Sequence, residues 1–600
     1  SLPNHLFSTP TTNPAILDTF DRYPFTLDET PFPHQDPAIT PAILGHLFEQ
    51  HLPTTTRKKG GTFYTPRPIV DHLGQTSLFH YLNHYLSYQL PHPQLHNFVH
   101  DPSPTTTLPI TPYAPQIDAA LAQLTICDPA VGAGALVVGI LSHIIRLRHA
   151  LHQHTPIPVP MTPHQLTGHA LTHTLHGVDI NPAPLAITKT RLHLAYLATP
   201  GSSFHTLPNL DNHFICADAL LSAPNELFPA EDESAPFNII IANPPWLSLK
   251  GKHRPAHSQK LYRQLATRYQ LNSYAPNLYE LFLQQGLNWL QPHGLLAYII
   301  PDRLAFNHHS HQLRHQLLTH TRLHHISYQW SFPGITANTM TLILQKETRP
   351  DYTFSIRHNS THPPLTYQKS TIRNQPWRGY PTAAHRDLIH KIQVNTQPLH
   401  TIARHTSGFG GKSTQITLDC QHSSQIPVYK GASIDPFTIK HPYFFDFTPA
   451  NITGRTTDTI KLGATPKILL RKTGFPLIAA YDDSGHYPEQ SLYFIYHLGP
   501  QFDYHYLLGL LNSRLLSWYY RHQLITNPDS TPQLKGRDLG HLPIKAATPH
   551  QQQPIITLAH QLEQPITPTD RATLYHTLNQ TIYTLYNLSP TDIDLISSSF

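Results

Sequence analysis

The sequence predicts an α/β fold, a Rossmann-like sheet with helices on both faces, followed by a C-terminal α+β domain. Three observations predict it. Apolar runs of strand length alternate with helical stretches from residue 124 to residue 300, as βαβ units do. Four of those runs end at Asp128, Asp179, Asp218 and Asn243, polar groups at carboxyl ends of strands, where open α/β sheets keep their ligands. Past Lys346 the alternation gives way to short apolar–polar runs (Val428 to Ile434, Lys467–Leu470, Leu492–Tyr496). The boundaries expected are an N-terminal extension over 1–60, the α/β domain over 61–346 and a third region over 347–600 with a helical segment at its end.

A chain of 600 residues can bury two or three cores. From Lys346 onward 23 Lys+Arg face 17 Asp+Glu, a balance of +6, against 18 and 19, a balance of −1, before it. The basic C-terminal part permits nucleic-acid binding. Cys127, Cys216 and Cys420 form no CxxC pair, which argues for a reducing compartment and against a zinc site. Neighbouring histidines such as His308-His309 and His324-His325 have no acidic or Cys partner at ligand spacing, so no metal is expected. No signal peptide and no apolar run near ~20 residues is present; the expected location is cytoplasmic, without a membrane partner.

In chain order, the Pro- and Thr-rich start is followed by a helix candidate at Pro41–Glu49, the basic cluster Arg57-Lys58-Lys59 and Gly60-Gly61. Thr65 sits where an N-cap hydroxyl would stand, before Pro66 and a helix through Ile69, Val70 and Leu73. Residues 91–117 read as an inserted loop. A short strand, Leu124–Cys127, then feeds Asp128-Pro129-Ala130-Val131-Gly132-Ala133-Gly134 and an apolar helix. This is not the dinucleotide fingerprint, which needs glycine at Val137. The glycine pair lets a ligand body approach while Asp128 attracts a cation, so an ammonium-bearing ligand fits better than a pyrophosphate.

After a Pro/His-rich insertion, 152–172, the strand Leu175–Ile180 places Asp179 where an acidic residue accepts from ribose hydroxyls. A helix (Pro184–Leu197), the strand His213–Cys216 and Asp218 follow. The run Phe237–Ala242 then reads as a strand covered on both faces. It ends at Asn243-Pro244-Pro245-Trp246, because neither proline has an N–H for further pairing. Amide, carbonyls and indole together suit a planar amino-substituted ring. Lys250 to Arg268 reads as a mobile flap; a helix at Asn277–Leu283 and strands at Gly294–Pro301, His325–Trp330 and Met340–Gln345 complete the unit. Beyond it, an amphipathic helix is expected at Tyr506–Tyr520 and a last one near 568–587. Basic and aromatic residues interleave there (Tyr429-Lys430, Arg471-Lys472, Arg514 with Trp518, Lys535 with Arg537), which suits backbone phosphates plus base contacts.

Taken in order, Gly61-Thr62-Phe63-Tyr64-Thr65-Pro66, Asp128 to Gly134, Gly177-Val178-Asp179-Ile180-Asn181-Pro182, Ala217-Asp218, Asn243 to Trp246, Asn277-Leu278-Tyr279-Glu280 and Phe332 resemble the N6-adenine-specific DNA methyltransferases. The likeness spans residues 40–346, and Tyr429-Lys430-Gly431, Leu507–Tyr519 and Leu534–Arg537 extend it more loosely. The resemblance implies a catalytic methyltransferase domain over 61–346 and a DNA target-recognition domain over 347–600. It implies S-adenosylmethionine as cofactor, with Asp128 facing the ammonium, Gly132 and Gly134 the ligand body, and Asp179 the ribose. Asp218 would take the donor adenine, while Tyr64 and Thr65 close over the methionine end and Pro129 and Ile180 complete the lining.

By the same resemblance Asn243 and Pro244 hold the target amino group, Trp246 stacks on a flipped adenine and Phe332 faces it. The family more often has Tyr or Phe where Trp246 stands. Tyr429, Lys430, Arg471, Lys472, Arg514, Lys535 and Arg537 are the candidate DNA contacts. The expected partner is double-stranded DNA, with other subunits of a restriction-modification or phage-defence system in addition. The alternative is a methyltransferase acting on RNA or on a protein glutamine side chain; such enzymes generally lack the Thr65-type motif and a C-terminal domain of this size.

Overall fold

The computed structural model describes residues 40–43, 45, 64–200, 206–229, 236–249, 258–269, 277–332, 338–359, 361–373, 375–525 and 532–600. The Arg57-Lys58-Lys59 cluster, Gly61–Phe63 and most of the expected 1–60 extension lie outside the described residues. The chain divides into two compact units, Ser1–Gly379 and Tyr380–Phe600.

The first unit is built on a nine-stranded sheet. Its strands are β1 Ile126–Asp128, β2 Leu175–Asp179, β3 Phe214–Cys216, β4 Phe237–Ala242, β5 Leu290–Pro301, β6 Arg322–Tyr328, β7 Thr339–Gln345, β8 Thr353–Arg357 and β9 Leu365–Gln368. They lie in the order β3-β2-β1-β4-β5-β7-β6-β8-β9. The first five are mutually parallel, and β7 runs antiparallel between β5 and β6. Strand β1 has β2 on one side and β4 on the other, so the winding reverses there. The carboxyl ends of β1 and β4 therefore flank a crevice.

Burial explains why β4 reads as an unbroken apolar run. Ile239 and Ile241 join Leu295, Ala297 and Ile299 of β5 in one core with Ile69, Val70 and Leu73 of helix α1 (Arg67–Tyr85) and Val137, Ile140 and Ile144 of α2 (Ala135–His154). Ile240 and Leu296 point the other way, toward Gly286, which falls in the helix Leu278–Trp289. A Cβ at Gly286 would stand 2.6 Å from the Tyr298 hydroxyl and 2.9 Å from Leu296, so glycine there lets that helix sit close on the sheet. Both faces are covered, as parallel strands require.

Several local expectations change. The sheet continues past Lys346, because edge strands β8 and β9 bury only alternate residues and so imitate the start of a new domain. Residues 91–117, expected as a loop, hold the helix His92–His100, the turns Pro104–Thr107 and Leu108–Tyr113 and the start of helix Ala114–Ala122. The prolines that suggested a loop stand at helix starts, where a missing N–H costs nothing. In the 152–172 insertion α2 runs on to His154, and helix Pro163–His169 begins with a Thr162/Gln165 capping box. Of the expected flap, 250–257 lies outside the described residues and Ser258–Arg268 is helical.

The second unit carries two four-stranded sheets. One orders Arg404–Ser407, Leu492–Tyr496, Lys467–Arg471 and Ala479–Asp482; the other orders Ile416–Thr417, Tyr443–Phe445, Ile426–Tyr429 and Tyr487–Pro488. Phe409, Val428, Phe445, Leu469 and Phe494 form its strand core. The helix expected over Tyr506–Tyr520 is two, Tyr504–Leu511 and Arg514–Tyr519. Asn512 breaks it by bonding the backbone N–H and carbonyl of Ala479, and Ser513 caps the second piece. Two long helices, Pro549–Glu563 and Pro568–Leu585, and a short one, Pro590–Ser597, close the unit. The first was hidden by Pro549 and the interior Pro554. The unit is thus α+β, as the alternating runs suggested.

Candidate active site

A cavity of ≈270 Å³ opens at the β1/β4 crevice. It is lined by Tyr64, Thr65, Asp128, Pro129, Gly132, Asp179, Ile180, Asp218, Asn243 and Leu278, all singled out in the sequence, and by Leu220, Leu247, Leu265 and Phe282, which were not. The second group are ordinary apolar residues whose meeting only the fold reveals.

Each acidic side chain is fixed by the backbone turn that follows its strand. Asp128, 2% exposed, accepts from Ala130 N–H at 2.9 Å. Burial, opposed by the Ala130 bond and aided by the nearby Asp179, pushes its carboxyl up to about 8. Asp179 accepts from Gly132 N–H at 2.9 Å and Asn181 N–H at 2.8 Å. Burial raises it too, against those two bonds. Asp218 accepts from Leu220 N–H at 3.0 Å and is raised chiefly by burial. Three carboxyls drawn toward neutrality around one cavity mark a site that suits cationic and hydroxyl-bearing groups.

Gly134 does not line the cavity but makes its wall. It sits at φ +83° at the start of α2, and Gly132 lies at φ +54°. A Cβ at Gly134 would meet Thr188 at 2.9 Å. Helix Pro182–Leu197, called α3 here, backs the turn: Thr188 Oγ1 donates to the Gly132 carbonyl at 2.7 Å, and the buried Arg191 donates to the Ala133 carbonyl. No sequence signal marks Thr188, one of two threonines on that helix. Gly134→Ala is therefore expected to cost about 1–3 kcal/mol of stability and to weaken ligand binding, read by thermal melting and ligand titration.

At the other wall, the sequence expectation for Thr65 changes. Pro66 is the N-cap of α1, which has no side-chain cap bond. Thr65, 4% exposed, instead accepts from Asn243 Nδ2 at 3.1 Å. Holding the amide by its nitrogen turns its oxygen away from Thr65. Pro244 is buried and Trp246 half-buried, both outside the cavity lining. Phe332, 6% exposed, meets Trp246 edge to face, with ring centroids 5.4 Å apart at 73°. The two rings thus touch each other, whereas the sequence reading set them on opposite sides of a base. The turn beyond Phe332, Pro333-Gly334, lies outside the described residues.

The basic and aromatic candidates of the second unit divide. Lys535 and Arg537 are exposed, and Lys430 is partly so, its Nζ 5.1 Å from the Tyr443 ring. The others are engaged within the fold. Tyr429 is buried with its hydroxyl 3.3 Å from Ser484. Arg471 donates to the carbonyls of Gly431 and Ile434, and Lys472 donates to Ser407 at 2.5 Å. The Arg514 guanidinium lies 5.6 Å from the Phe600 ring. The sequence pattern could not separate these because salt-like and structural uses of Arg and Lys look alike along a chain.

Comparison with known proteins places both units. Residues 173–331 match the Eco57I restriction-modification methylase, and residues 426–544 match the TaqI-like C-terminal specificity domain. The adenine-specific methyltransferase PglX of Streptomyces coelicolor is 26% identical over 192 residues. That match covers 26% of this chain and 15% of PglX. Among solved structures, the Type IIL restriction-modification enzyme MmeI in complex with DNA covers 93% of this chain and 80% of its own at 14% identity, with TM-score 0.58. The DrdV–DNA complex covers 87% of this chain and 59% of its own at 12% identity, with TM-score 0.51. At such identities these two share the fold. The chain thus joins a region similar to a restriction-modification methylase to one similar to a TaqI-like specificity domain, and part of it is similar to an adenine-specific methyltransferase.

Proposed function

We propose that this chain transfers a methyl group from S-adenosylmethionine to N6 of an adenine flipped out of duplex DNA, at a specific sequence, within a restriction-modification or phage-defence system. The observation that carries the proposal is the placement of Asn243 just after β4, lining a cavity whose acidic residues are Asp128, Asp179 and Asp218. The two compact units, Ser1–Gly379 and Tyr380–Phe600, support a methyltransferase domain followed by a DNA target-recognition domain.

The residues present fit S-adenosylmethionine. Asp128 is a buried carboxyl lacking a cationic neighbour among its perturbing groups, and an α-ammonium would restore its charge. Asp179 spends one lone pair of each oxygen on backbone N–H groups, leaving further acceptor capacity for ribose hydroxyls. Ile180 is 70% exposed at the rim and offers an apolar face to a ring. The bound donor would supply an electrophilic methyl on a sulfonium.

This chain's residues do the rest. An adenine amino nitrogen is a weak nucleophile because its lone pair is delocalised into the ring. Asn243 Oδ1 and the Pro244 carbonyl accept its two N–H bonds, favouring the pyramidal form and stabilising the positive charge that grows as the new N–C bond forms. One N–H proton then leaves, and no covalent enzyme intermediate is needed. Trp246 offers the stacking surface for the flipped base, with Phe332 packed behind its edge. Lys430, Lys535 and Arg537 are the candidate phosphate contacts.

Sequencing DNA from cells expressing this chain, with modified-base detection, tests the proposal. N6-methyladenine is expected at every copy of one sequence. Its absence, with methyl groups found on RNA or protein, would reverse the substrate assignment.

A further inference from the structure

Outside the cavity, the second unit gathers a group of ligand-type side chains from distant parts of the sequence. Number its helices α4 Tyr504–Leu511, α5 Arg514–Tyr519 and α6 Pro549–Glu563. His505 stands on α4; His560 and Glu563 stand on α6. One nitrogen or oxygen from each lies within 4.8 Å of the others, the one such group among the described residues. The separations are chemically informative. His505 Nε2 is 3.3 Å from Glu563 Oε1, and His560 Nδ1 is 3.4 Å from Glu563 Oε2. Four ligands held tetrahedrally at 2.0–2.1 Å from a zinc ion stand about 3.4 Å apart. Each imidazole therefore already stands at that spacing from one Glu563 oxygen, His505 from Oε1 and His560 from Oε2, and the three ligand atoms need move little to share one ion.

The surroundings add a second observation. Asp503 Oδ1 lies 3.7 Å from His505 Nδ1, the ring nitrogen opposite the one that faces Glu563. At 3.7 Å this is an ion-pair distance and not a hydrogen bond, but a small shift would let the carboxylate accept from Nδ1, the way metal-binding histidines are held in the tautomer that offers Nε2 to the ion. Asp503 is itself fixed, accepting from the N–H groups of His505 at 2.7 Å and Tyr506 at 3.3 Å. The His505 ring rests against Tyr481, centroids 4.4 Å apart, and against His560 at 3.7 Å. His505 and Glu563 side chains are 12% and 19% exposed, while His560 is 53% exposed. That leaves an open side for a water as fourth ligand. His560 and Glu563, three apart on α6, share a helix face.

We propose that His505, His560 and Glu563 bind a divalent transition metal of the zinc type, oriented by Asp503. The metal clips α6 to α4, and α6 begins beyond residue 544, where the match to the specificity domain ends. It fastens the following helix to that domain. Imidazole and carboxylate ligands exclude a soft, thiolate-preferring ion and suit zinc. Adjacent-histidine spacing could not reveal this site, since its ligands meet only through folding.

The test is titration of Zn²⁺ alone into the chelator-treated full-length chain, followed by bound stoichiometry and thermal melting. With 47 histidines in the chain, total uptake is not diagnostic; the difference between proteins is. The expected result is a rise in melting temperature with Zn²⁺ and one tight equivalent, both lost in His560→Ala and Glu563→Gln. His560→Ala should melt like the parent without metal, because that side chain is half exposed. Asp503→Asn should weaken the tight equivalent about 10–100-fold. Equal Zn²⁺ uptake and equal melting shifts in the parent and both ligand variants would overturn the proposal, and so would no tight equivalent in the parent.

Discussion

Asn243→Ala is expected to lower methyl transfer by at least about 10²-fold, the scale of losing one preorganised group aimed at developing charge. S-adenosylmethionine binding should change little. The separation follows from position. Asn243 follows β4 and touches Thr65, whereas the carboxyls that suit the donor stand at the carboxyl ends of β1 and β2 and just past β3. On the proposed reading, removing the amide deletes the acceptor of the target amino group without disturbing Asp128 or Asp179. Single-turnover transfer and equilibrium binding of the donor, measured on the same preparation, read the two effects apart. Loss of donor affinity equal to the loss of rate would show that Asn243 serves the donor instead.

Asp128→Asn is expected to do two opposite things. The folded carboxyl titrates at about 8 against an ordinary value of 3.8. A folded-state value above the unfolded one means the folded chain holds this proton more tightly. The stabilising contribution is therefore full below pH 4 and lost as pH rises toward 8. At pH 7 the buried carboxyl costs the donor-free protein about 2–4 kcal/mol, from roughly 1.4 kcal/mol per unit. The neutral amide removes that cost, so the variant should melt higher at pH 7 and match the parent near pH 4. It should also bind S-adenosylmethionine at least about tenfold more weakly, because the proposed partner of the α-ammonium is gone. A variant that melts lower at pH 7 would mean Asp128 already holds its charge comfortably.

This stability–binding opposition is expected at a functional site, and it explains what the sequence made legible. The strands β1 to β5 and their terminal polar residues could be read because each rule involved is local. A run of Ile before two prolines must stop there, and a glycine pair after an aspartate must turn. The partners of those residues could not be read. That Thr65 bonds Asn243 rather than capping its own helix, or that Thr188 braces Gly132, depends on contacts across the sheet. Proline misled twice, at 91–117 and at Pro549, because it both breaks helices and begins them. Among the basic residues, Arg471 and Lys472 turned out to hold carbonyls and a hydroxyl of their own unit. Charge along a chain says little about which way a side chain points.

The most direct measurement of the central claim is incubation of the full chain with duplex DNA and methyl-labelled S-adenosylmethionine, followed by nucleoside analysis. The parent should place label on N6 of adenine, and Asn243→Ala should not. Label on another nucleoside, on RNA or on protein with DNA unmodified would contradict the account.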